Sequence, residues 1–116
     1  MNTEAKLRRI AIEAVKLAAA DPDVVHERNT FHCYIYPRKG APRQIILQTS
    51  LDYPFVQPKV WVRPFADILN VSHHILSEGE VCYMSDDWDP TLHTLTFVFT
   101  QVKRIVYEAV NARYGA

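Results

Sequence analysis

A chain of 116 residues suits one domain, long enough to bury roughly two-thirds of its unfolded surface in a single core. Thirteen basic and thirteen acidic side chains cancel, so no global field draws nucleic acid or an anionic membrane, and partners are expected to be recognised by local patches. No segment approaches the roughly 18 unbroken apolar residues of a membrane span, the N-terminus lacks the apolar core of a signal peptide, and Cys33 and Cys82 make no disulfide framework. A cytoplasmic protein with free thiols is expected.

Leu7, Ile10, Ala11, Ala14, Val15 and Ala18 recur at helical spacing, with Lys6, Arg9, Glu13 and Lys16 on the opposite side. This predicts an amphipathic helix closed by Asp21 and Pro22. A short strand is expected around residues 24–27, followed by one in which Phe31, Cys33 and Ile35 alternate with His32, Tyr34 and Tyr36. On that face Cys33 reads as a core residue. A turn at Lys39, Gly40, Ala41 and Pro42 leads to a strand through Ile45, Ile46 and Leu47, and residues 59–63 complete a four-stranded antiparallel meander. Residues 64–90 sustain no period of either kind. Long irregular segments inside a compact domain are usually functional, so the chemistry is expected there. Leu95, Val98, Phe99, Val102, Ile105, Val106 and Ala109 then form a helical stripe with Thr94 as N-cap. The order is helix, meander, long active-site segment, helix, in one domain over residues 1–116, and the class is α+β.

The segment SHHILSEGEVCYMSDDWDP, with Gly79 three residues and Ile75 seven residues before Cys82, resembles the active-site stretch of ubiquitin-conjugating enzymes. Upstream, YPFVQPKVWV resembles that family's Tyr-Pro-Phe loop and the strand after it. The match is close over residues 53–90 and extends by element order to nearly the whole chain. It implies a truncated UBC-like fold, because the chain ends at Ala116 without the family's two C-terminal helices. It also implies that Cys82 accepts a ubiquitin-like modifier as a thioester from an ATP-using activating enzyme and passes it to a target amine or other nucleophile. No cofactor is implied for this chain, since ATP is used by the activating enzyme. Prokaryotic relatives of this kind sometimes serve in anti-phage defence. The alternative is a catalytically inactive UBC-like module that docks a modifier or scaffold.

Three departures from the family pattern bear on mechanism. The family's Pro and Asn align with His73 and His74, so the imidazole of His74 stands where the family places an oxyanion donor. An imidazole N–H can donate too, and losing one such donor typically costs on the order of 3 kcal/mol. Donor, structural and general-base roles for His74 all stay open on sequence alone. Trp88 follows Cys82 sooner than in common members, and the family's later acidic residue is missing, so Asp86 and Asp87 are candidates for orienting an acceptor amine or are solvated loop acids. His73, His74 and Cys82 are not expected to bind metal, because adjacent histidines tend to diverge and no paired ligand spacing occurs. For partners, the resemblance points to Lys6, Arg8 and Arg9 as a face for the activating enzyme. It assigns Phe55, Trp88 and Pro90 to a ligase-contacting surface, with Tyr53 and Trp88 packing beneath it.

Overall fold

The computed structural model describes residues 2–84 and 87–115. Helix α1 (Thr3–Ala20) precedes strands β1 (Val25–Glu27), β2 (Thr30–Ile35), β3 (Arg43–Gln48) and β4 (Lys59–Arg63), and helix α2 (Leu95–Tyr114) follows. The strands form one antiparallel sheet in the order β1-β2-β3-β4. The expected α+β order of helix, four-stranded meander and helix is therefore observed. Among the described residues, no helix is long and apolar enough to cross a membrane.

Side chains alternate between the two faces of a strand, and pairing turns that alternation into rows. Phe31 lies beside Leu47 and then Val60, and Cys33 beside Ile45 and then Val62, all of them buried. Helix α2 covers this face with Leu95, Val98, Phe99, Val102, Ile105, Val106 and Ala109, the stripe expected from sequence. Thr94 caps the helix by accepting the Phe97 N–H through Oγ1 at 3.2 Å. Burial, then the nearby Asp21 carboxylate, pushes the Cys33 thiol pKa far up, which makes it a core side chain and not a nucleophile. The opposite face, carrying His32, Tyr34, Gln44, Ile46 and Trp61, is only half-buried. One inward position is polar: the Arg43 guanidinium, with no side-chain exposure, donates to both Asp67 carboxylate oxygens at 2.6 and 2.8 Å. Tyr114 donates to the same carboxylate and so fixes the end of α2 to the segment after β4.

Helix α1 departs from its expected register. Its buried residues are Glu13 and Leu17, whereas Leu7 and Val15 of the counted apolar stripe are 63% and 72% exposed. The cause is a carboxylate with enough donors to be buried. Glu13 Oε1 accepts from the Tyr53 hydroxyl at 2.6 Å and from the Leu95 N–H at 2.6 Å, and Oε2 accepts from Arg9 Nε at 2.8 Å. Leu95 opens α2, so its N–H has no partner within the helix, and the positive end of the helix dipole favours the carboxylate. A paired and hydrogen-bonded charge is the kind that tolerates burial. A count of apolar side chains gives no weight to such a group.

Glu13→Ala would leave the Tyr53 hydroxyl, the Leu95 N–H and a half-buried guanidinium without their acceptor. Its expected cost is about 3 kcal/mol, toward the lower end for a broken buried pair because Arg9 keeps some solvent. Urea unfolding checks this, and a loss under about 1 kcal/mol would contradict it.

Candidate active site

The outer edge of β4 carries a short antiparallel addition. Val62 N–H donates to Gly79 C=O at 2.9 Å and Val81 N–H to Val60 C=O at 2.8 Å, which sets Trp61 opposite Glu80. The chain just upstream folds back on this piece. Leu76 N–H donates to Glu80 C=O at 2.8 Å, Cys82 N–H donates to His74 C=O at 2.7 Å, and Ile75 lies opposite Val81. Part of the segment expected to be irregular is thus a hairpin hung on the sheet. Its apolar character is too brief for a period to register, because only Ile75 and Val81 face the core. Gly79 makes the turn work: its φ is +85°, and a Cβ there would lie 2.7 Å from Phe65 Cδ1 and 2.8 Å from the Val62 carbonyl oxygen.

Cys82 ends this hairpin with its side chain exposed and its thiol free. His74 Nδ1 lies 3.1 Å from the Cys82 carbonyl oxygen. A carbonyl only accepts, so Nδ1 donates in this contact, and an uncharged ring bound this way has its lone pair on Nε2. His74 and Cys82 are therefore joined in both directions, by backbone N–H to carbonyl and by imidazole to carbonyl. In this arrangement the neutral imidazole has no second N–H for an oxyanion. It can clamp the cysteine backbone and offer a base, and it becomes a further donor only as imidazolium.

The neighbouring His73 ring sits 4.0 Å from that of His74, closer than adjacent histidines were expected to lie. Among the described residues, no three His, Cys, Asp or Glu side chains come together as a metal site. Asp87 is exposed, while Asp86 lies outside the described residues. A cleft of about 250 Å³ runs beside Cys82 between the start of β4 and the hairpin, and Lys59, Gln57, Leu76, Glu80 and Met84 help to line it. Lys59 lies within the YPFVQPKVWV motif of residues 53–62, which assigns it no role, and the pairing of the hairpin with β4 is what brings it to this cleft.

The residues expected to meet partners fall into two groups. Lys6 Nζ donates to the Leu51 carbonyl at 3.3 Å and lies 5.9 Å from the centre of the Phe55 ring, which is 54% exposed. Arg8 is exposed and pairs with Glu4 at 3.2 Å. Arg9, by contrast, is held inside the fold by Glu13 and by donation to the His93 carbonyl at 2.9 Å. Trp88 Nε1–H donates to the Pro54 carbonyl at 2.7 Å, and its ring lies 6.3 Å from Tyr53 and 5.4 Å from His93. Trp88 and Pro90 are half-buried, so Trp88 joins the two loops and Phe55 is the side chain that projects. Compared with protein-family models, curated proteins and solved structures, the chain matches none.

In Gly79→Ala the hairpin should detach from β4, at a cost of about 2 kcal/mol from the positive φ and the backbone clash together. Hydrogen exchange reads this directly. The amides of Val62, Val81 and Cys82 should exchange at least about tenfold faster while those of Cys33 and Ile45 keep their protection, since about 1.4 kcal/mol corresponds to tenfold. Unchanged exchange at Val81 would refute the role given to Gly79.

Proposed function

We propose that this chain is a small ubiquitin-conjugating-like carrier with a UBC-like fold. In this reading it accepts a ubiquitin-like modifier on Cys82 as a thioester and yields it to an amine or another nucleophile. The observation that carries the reading is an exposed, uncrosslinked thiol at the end of a sheet-anchored hairpin, with its backbone bonded in both directions to His74. The order of α1, the four-stranded meander, the active-site hairpin and α2 supports the same assignment.

The chemistry follows from the groups present. In charging, Cys82 attacks the carbonyl carbon of a donor thioester; the new C–S bond forms, the old one breaks, and the donor thiol leaves. Bond types are conserved, so the exchange is nearly balanced and needs an accessible thiol and good positioning more than a strong base. In discharge an acceptor amine attacks the Cys82 thioester; a C–N bond forms, the C–S bond breaks, and the amine proton passes to Nε2 of His74. Asp87 stands near enough in sequence to orient that amine. The activating enzyme would dock on α1 through Lys6 and Arg8. Phe55, backed by the Trp88 and Pro90 loop, would meet a ligase or the target. Such a carrier works in the cytoplasm, where the thiol stays reduced.

The test uses an acetyl-Gly-Gly thioester of mercaptoethanesulfonate as acyl donor, followed by intact mass. Cys82 should take up the acyl group at least about tenfold faster than N-acetylcysteine amide, a gain of about 1.4 kcal/mol from positioning alone. The adduct should be removed by added thiol and be absent in Cys82→Ala. A Cys82 no faster than the free amino acid, or one that only hydrolyses the donor, would overturn the carrier reading.

A further inference from the structure

The antiparallel pairing sets Trp61 opposite Glu80, and its register continued two residues along each strand brings Lys59 and Cys82 to the same side, where both line one cleft. Opposed residues in an antiparallel pair share a face, with Cβ atoms about 5 Å apart. Both side chains are exposed, both line the 250 Å³ cleft, and Lys59 is the one cation on its wall among the described residues. Two N–H groups beside the thiol are engaged, that of Cys82 with His74 and that of Val81 with Val60. The Nδ1–H of His74 is spent on the Cys82 carbonyl. Across the cleft, Lys59 offers a negative oxygen forming next to Cys82 a charged donor that none of these bonds engages.

We propose that Lys59 is a catalytic residue of the acyl-transfer site, its ammonium stabilising the oxyanion of the tetrahedral intermediate on Cys82. This rests on the carrier reading above and gives that reading a named oxyanion donor. When the thiolate of Cys82 adds to the carbonyl carbon, the C=O π pair moves onto oxygen, and Lys59 donates a hydrogen bond to that oxygen without giving up its proton. Collapse restores the C=O bond and expels the leaving thiolate. In discharge the same oxygen becomes negative again as the amine adds, and the expelled thiolate is that of Cys82. Lys59 thereby serves both half-reactions, while His74 handles the proton. Gln57, also on the cleft wall, is a neutral amide and stabilises charge less than an ammonium does.

Two reactions of the same sulfur separate this role from others. Acyl exchange with the acetyl-Gly-Gly thioester passes through an oxyanion, whereas alkylation by iodoacetamide does not. Lys59→Met should slow acyl exchange on the order of 100-fold, the usual loss for one oxyanion donor, while alkylation stays within about threefold. Lys59→Arg, which keeps a cation with donors, should recover most of the rate. Equal losses in both reactions would mean that Lys59 acts on the thiolate, and would overturn the proposal. So would an unchanged exchange rate in Lys59→Met, a comparable loss in Gln57→Ala with Lys59→Met unaffected, or an amide found on Lys59 itself, which would make it an acceptor. In each of those cases wild-type Cys82 still forms the thioester and the carrier reading stands. Failure of wild-type Cys82 to acylate at all would remove both.

Discussion

The buried carboxylate of Glu13 is the constraint on which the rest of the arrangement depends. It reaches from α1 to the Tyr53 hydroxyl on one side and to the first N–H of α2 on the other, while Arg9 from its own helix balances its charge. Burial and the bond to Glu13 push the Tyr53 hydroxyl pKa up, so the phenol remains a proton donor to that carboxylate. Two loops are fixed as a result. Tyr53 holds the chain at Pro54, whose carbonyl receives Trp88 Nε1–H, and Arg9 holds the His93 carbonyl ahead of α2. The active-site segment is strung between these fixed points and the edge of β4.

That edge does the positioning. A loop tip carrying a cysteine would sample many conformations, and each ordered residue costs about 1–2 kcal/mol of backbone entropy. Hydrogen bonds to β4 on one side and the fold-back of residues 74–76 on the other offset that cost within the fold itself. Gly79 permits the sharp approach, Ile75 and Val81 anchor the hairpin in the core, and alternation then turns Glu80 and Cys82 outward. The thiol's exposure, the backbone bonds between Cys82 and His74, and the place of Lys59 on the same cleft all follow from how this hairpin is seated on β4.

The sequence made the meander legible because Phe31, Cys33 and Ile35 alternate cleanly, and α2 because its apolar stripe is long and Thr94 caps it. Cys82 and His74 were legible as candidates through motif spacing, and their backbone bonds bring them together. What stayed hidden shares one physical trait: it depends on partners distant in the chain. Glu13 looked like a solvated helix charge, since nothing local announces that Tyr53 and Leu95 will meet it. Arg9 looked like a surface cation for the same reason. Arg43 and Lys59 are ordinary strand residues by type, and only the fold brings Arg43 to the Asp67 carboxylate and Lys59 to the cleft that Cys82 lines.

The central claim is that Cys82 carries a protein modifier through its sulfur. Incubation with a ubiquitin-like modifier, its activating enzyme and ATP, followed by electrophoresis with and without reductant, tests it most directly. The account predicts a higher-mass species that reductant removes, that is missing in Cys82→Ala, and that persists through reductant as an oxygen ester in Cys82→Ser. A modifier that binds without any covalent species, or an adduct unaffected by Cys82→Ala, would contradict it.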